Sequence, residues 1–120
     1  MPEARHIAVG KRGEQIAAHY LRAQGYELHA RNVRVGREEI DLIAYDPDDQ
    51  ILVFIEVKAR AETDKNFPAE MRFNWEKRRA LARAARHWIA RKGYEGGYRF
   101  DLICVEGGKI THHRDVQMGA

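Results

Sequence analysis

The sequence predicts an α/β fold: a sandwich built on a mixed, largely antiparallel sheet flanked by helices, in the order helix, three strands, helix, two strands. Three observations predict it. Apolar residues recur at helical spacing before Gly25 and again before Gly93; elsewhere they alternate or run together as strands require; and Gly, Pro and Asp clusters fall at the joins. With 120 residues, 44% of them hydrophobic, there is material for one core, so a single domain over 1–120 is expected.

The first helix, about Ala4 to Gln24, rests on Ala17, Tyr20 and Leu21 and stops at Gly25, with Gly10 and Gly13 weakening its first half. Val33-Arg34-Val35 is a short strand. After Gly36 come two more, Glu39–Tyr45 and Ile51–Ala59, separated by the turn Asp46-Pro47-Asp48-Asp49-Gln50. Pro68 suits the first turn of a helix running to about Lys92, and Gly93 is its stop. Tyr98–Val105 and Lys109–His113 form a hairpin around Glu106-Gly107-Gly108. Cys104, inside an apolar run and without a partner cysteine, reads as a buried thiol. No apolar run approaches the roughly 20 residues of a membrane span, and Met1-Pro2-Glu3-Ala4-Arg5 does not open a signal peptide, so a cytoplasmic location without membrane association is expected.

The formal charge of +3 hides a segregation. Between Arg72 and Lys92 eight basic residues face one acid, Glu76, a local +7. On a helix, Arg72, Arg79, Arg83 and Arg86 share one stripe, beside an apolar arc of Met71, Trp75, Ala82, Ala85 and Ile89. The arc is expected to pack on the sheet, with Trp75 and Trp88 in the core, and the arginine stripe either tracks a nucleic-acid backbone or is a solvated helix face, the first being expected from the local +7. Lys77 lies off that stripe, where it is a candidate to reach the site described next.

If Asp46 faces Ile51 across the turn, antiparallel partners follow by counting. Ile40, Leu42 and Ala44 meet Val57, Ile55 and Val53 on one apolar face. The other face holds Ile43 with Phe54 and Tyr45 with Leu52 near the turn, then Asp41 opposite Glu56 and Glu39 opposite Lys58. Opposed carboxylates repel unless something offsets them, and a divalent cation does so. A Glu39–Lys58 salt bridge with a solvated Asp41 is the alternative. Glu14, on the stripe of Ala17, Ala18 and Leu21, is a third carboxylate able to join, or else one that reaches solvent at the stripe's edge. Lys58 and Arg60 follow Glu56 at intervals of two and share its face.

Asp41 followed on the next strand by Glu56-Val57-Lys58 resembles the PD-(D/E)XK signature of restriction-endonuclease-like nucleases. A longer series resembles the bacterial YraN family of nuclease-like proteins: Gly13-Glu14, Ala17, Tyr20-Leu21, Gly25-Tyr26, Asn32, Glu39 to Ile43, Phe54 to Arg60, Lys77 and Arg99-Phe100-Asp101. The layout is similar to that of archaeal Holliday-junction resolvases. One departure is that Arg37-Glu38 stands where that family usually has glycine before its Glu-Ile-Asp. The resemblance implies a restriction-endonuclease-like sandwich in which Asp41, Glu56 and Glu14 ligate Mg2+ or Mn2+ and Asp41, Glu56 and Lys58 are catalytic. Arg60, Arg72, Lys77, Arg79, Arg83 and Arg86 then contact nucleic acid. Asp101 is read as structural.

The expected function is metal-dependent hydrolysis of phosphodiester bonds in structured or branched DNA. The alternatives are a non-catalytic nucleic-acid-binding accessory module on the same fold and a module whose basic helix meets an acidic protein. A homodimer is admitted by analogy with resolvases, which often need two active sites. No Gly-rich phosphate loop is present, so no nucleotide cofactor is expected, and the scattered histidines have no zinc-site spacing.

Overall fold

The computed structural model describes residues 2–60 and 74–118. Helix α1 spans Pro2–Ala23; strands β1 (Glu27–Val35), β2 (Glu38–Asp46) and β3 (Ile51–Arg60) follow; then helix α2 (Trp75–Lys92) and strands β4 (Tyr98–Glu106) and β5 (Lys109–His113). This is the expected order. The strands lie side by side in chain order, β3 parallel to β4 and every other pair antiparallel. None of the described helices is long and apolar enough to cross a membrane.

The helices cover opposite faces of the sheet. Ala17, Ala18 and Leu21 of α1 pack on Leu42, Ala44, Val53, Ile55 and Val57. Leu81, Ala84 and Ala85 of α2 pack on Ile40, Ile43, Leu52 and Phe54, with Cys104 buried among them. Because β3 is covered on both faces, its apolar residues run together instead of alternating with polar ones. Gly13 sets the approach of α1 to β3, since a Cβ there would overlap the Ala59 methyl. Its weak helix propensity, about 1 kcal/mol against alanine, is the cost of that close approach.

The turn after Asp46 closes as counted, with the Asp46 carboxylate accepting the Asp48 N–H at 3.0 Å, and the β2–β3 register runs from Asp46–Ile51 to Leu42–Ile55. There the ladder ends, so Asp41–Glu56 and Glu39–Lys58 are not cross-strand pairs. The expectation for Ile40 also fails: it packs beneath α2 with Ile43 and not beneath α1 with Leu42. Asn32 faces this stretch from β1 with a left-handed φ of 49°, between the Arg31–Leu42 and Val33–Ile40 pairs, and strict alternation along β2 is lost there.

Helix α2 starts later than Pro68 suggested. Asn74 is its N-cap, with backbone φ −75° and ψ 176° and its side-chain oxygen accepting the Lys77 N–H at 3.0 Å. Pro68, Met71 and Arg72 lie outside the described residues. Trp75, expected in the core, is 51% exposed at the first helical position, with the Arg78 guanidinium 4.7 Å from its ring centre. Trp88 is half-buried, edge-on to Phe54 at 5.7 Å.

Candidate metal centre and basic helix face

Carboxylates gather where the β2–β3 ladder has ended. Gly13 seats α1 on Ala59 and thereby brings the next residue, Glu14, over the end of β2. Oxygens of Glu14, Glu39 and Asp41 lie within 4.8 Å of one another. The Asp41 carboxylate accepts the Val57 N–H at 2.8 Å, beyond the last β2–β3 register pair. With its amide nitrogen turned toward the cluster, Asn32 donates to Glu14 at 3.0 Å and to Glu39 at 3.2 Å. Glu56 and Lys58, on one face of β3, pair with each other at 3.0 Å, each side chain 17% exposed.

The electrostatics show how incompletely these charges are offset. Burial pushes the Asp41 carboxyl up to about 8; the Glu56 and Glu14 charges add to this, while the Val57 N–H and Lys58 oppose it. Burial also raises Glu14, reinforced by Glu39 and Glu56 and opposed by Asn32 and Arg31. Side chains of the protein thus relieve only part of the repulsion. The donor set is all oxygen and anionic, a set that could hold a metal ion. The sequence reading anticipated Glu14 and Asp41. It placed Glu39 on the same face as Asp41 but gave it no metal role. Glu56 contributes its field to the cluster while its oxygen is held by Lys58.

The family model described as "Uncharacterised protein family UPF0102" matches residues 13–105. The chain belongs to the UPF0102 family. It is 42% identical to a UPF0102 protein of Alkaliphilus metalliredigens over 85% of this chain and 88% of that one. It is 48% identical to relatives from Symbiobacterium thermophilum, over 83% of each chain, and Chlorobaculum tepidum, over 81% of this chain and 74% of that one. The stretch shared with the UPF0102 model opens at Gly13, so it takes in Glu14, Glu39, Asp41, Glu56 and Lys58, and it ends on β4.

Of the other expected contact residues of this UPF0102 chain, Arg60 lies on β3 and Lys77, Arg79, Arg83 and Arg86 lie on α2. Arg60 is held by Glu106, its register partner on β4, at 3.0 Å. Arg79 and Arg86 are exposed on α2, and Lys77 is exposed in its first turn. Arg83, also exposed, pairs with Glu38 at 3.3 Å.

A second cluster went unnoticed in the sequence. The buried Arg99 guanidinium bonds Asp46 at 2.9 Å, Asp101 at 3.0 Å and the Tyr26 hydroxyl at 2.7 Å. Asp101, fully buried, also bonds His112 at 2.7 Å and accepts the Asp115 N–H at 3.0 Å. Burial would raise the Asp101 and Asp46 carboxyls, but these bonds, from His112 and Arg99 for the first and Arg99 and Asp48 for the second, hold both below the usual range. Asp101 therefore ties β4 to β5 and to the segment that follows it, in keeping with its structural reading.

Proposed function

We propose that this chain is a divalent-metal-dependent nuclease that hydrolyses phosphodiester bonds of structured or branched DNA. The observation that carries the reading is the convergence of Glu14, Glu39 and Asp41, from a helix and a strand, within 4.8 Å beside the Glu56–Lys58 pair. The order of these residues resembles the PD-(D/E)XK arrangement, and the topology is compatible with it. Glu14, Glu39 and Asp41 would hold Mg2+ or Mn2+, with Glu56 near enough to add its charge. The bound cation supplies a water activated for attack and compensates charge on the phosphate. Asn32 fixes the orientation of two of the carboxylates, and Val57 fixes that of Asp41. Lys58, partly buried and on the Glu56 face, provides a fixed positive charge toward an approaching phosphate.

A non-catalytic nucleic-acid-binding module is the competing reading, favoured by one observation: Lys58 and Glu56 neutralise each other. Incubating the protein with branched, flapped and single-stranded DNA under Mg2+ or Mn2+ separates the two. Cleavage that falls by about 100-fold or more in Asp41→Asn supports the nuclease. No cleavage of any substrate, or equal cleavage by the variant, refutes it.

A further inference from the structure

Between the β1–β2 turn and α2 lies a cleft of about 340 Å³ whose walls carry Arg37 and Glu38 on one side and Arg83, His87 and Arg91 on the other. Spaced four residues apart, Arg83, His87 and Arg91 stand in one row along the helix. That row covers about 12 Å of helix axis. A duplex strand places a phosphate every ~3.4 Å of its axis, so the row faces about three of them. Among the described residues that line the cleft, Glu38 is the one acid, and it meets Arg83 at 3.3 Å, at once compensating it and fixing its direction. With Arg37 and Arg91 added to that pair, the lining is net positive.

The cleft is tied to the carboxylate cluster through β2. Glu38 lines the cleft, and Glu39, its neighbour in the chain, belongs to the cluster. Successive strand residues point to opposite sides, so one strand presents an anion-accepting surface and a cation-accepting one from adjacent positions.

The geometry points to this cleft as the seat of a non-scissile stretch of nucleic-acid backbone, with Arg37, Arg83, His87 and Arg91 contacting its phosphates. This rests on the nuclease reading and deepens it by naming where the substrate strand is gripped. It also relocates part of the expected contact surface: Arg83 is shared with the stripe of Arg79 and Arg86, whereas Arg37, His87 and Arg91 are newly assigned.

The test is binding in EDTA, where cutting plays no part. Fluorescence anisotropy of labelled duplex and branched DNA is measured from about 50 to 200 mM salt for wild type and for the double variant Arg37→Gln/Arg91→Gln. Lys11→Gln/Lys109→Gln, removing the same charge from exposed positions on α1 and β5, is the control. The cleft variant is expected to bind ~10-fold or more weakly at the low-salt end and to reduce the salt slope by about 2, near 0.9 for each phosphate no longer neutralised. The control is expected to keep the wild-type slope. Equal slopes for cleft variant and wild type, an equal reduction in the control, or no DNA binding at all overturns the assignment. Displacement of DNA by millimolar inorganic phosphate at constant ionic strength also overturns it, since that marks a site for a free phosphate. Binding through the cleft without cleavage sinks the nuclease reading alone, and cleavage by a protein whose cleft variant binds normally sinks this one alone.

Discussion

Asp41→Asn should make the metal-free protein more stable. Folding places the Asp41 carboxyl where its pKa is about 8, raised first by burial and then by Glu56. An unfolded aspartate titrates near 3.9, so at pH 7 the native site costs the fold up to about 4 kcal/mol, 1.36 kcal/mol for each unit between the two pH values. Asparagine removes the charge and keeps an oxygen to accept the Val57 N–H. Because it returns only part of the cost, a gain of at least ~1 kcal/mol is expected, or a midpoint rise of about 3 °C or more for a domain of this size. The sign with pH is fixed: a carboxyl raised on folding gives full stability below its unfolded pKa and loses it as pH rises toward the folded one. The variant's advantage should therefore be small near pH 4 and grow toward pH 8. Thermal unfolding in EDTA across that range measures it. A variant equal to or less stable than wild type at pH 7, or an advantage that does not grow with pH, refutes the reasoning.

The remaining predictions concern the scaffold. Arg99→Ala leaves Asp46 and Asp101 buried without their shared cation and should cost about 3–5 kcal/mol, read from the urea midpoint; a loss under ~1 kcal/mol would show that the network does not hold the fold. Asp46 and Asp101, whose carboxyls are lowered on folding, contribute stability above pH ~4 that is lost as pH falls through their folded values. An acid limb below pH ~4 should therefore appear in circular dichroism, and weaken in Asp101→Asn. Gly13→Val should cost about 1–3 kcal/mol through overlap with Ala59, with Ala59→Gly restoring part of it in the double variant; additive effects would mean the two positions do not touch.

What could be read in advance follows from how local each signal is. The element order was legible because Gly25 and Gly93 end helices and the Asp46–Gln50 turn closes by short-range bonds, which also fixed the β2–β3 register. Most of β1 was missed: Glu27 to Arg34 is an edge strand, largely exposed, so it carries little apolar alternation. Counting outward from the turn failed beyond Leu42, the stretch that faces the left-handed Asn32 of β1, which the residues of the hairpin do not report. Asp41 and Glu14 were recognisable as acids on otherwise apolar patterns, whereas Glu39, exposed and next to Glu38, gave no such sign. The Arg99 network draws on Tyr26, Asp46, Asp101 and His112, four separate segments, and no spacing in the chain reports it. Trp75 was misplaced because the helix was started at Pro68, which made an interior position of the first residue after the Asn74 cap.

The central claim is that Glu14, Glu39 and Asp41 hold one divalent cation. Calorimetric titration of the metal-stripped protein with Mn2+ at pH 8 tests it most directly, alongside Glu14→Gln and Asp41→Asn. One ion bound per chain by wild type, with affinity reduced ~10-fold or more in each variant, is the predicted result. No binding to wild type, or variants that bind Mn2+ as tightly as wild type, would contradict it.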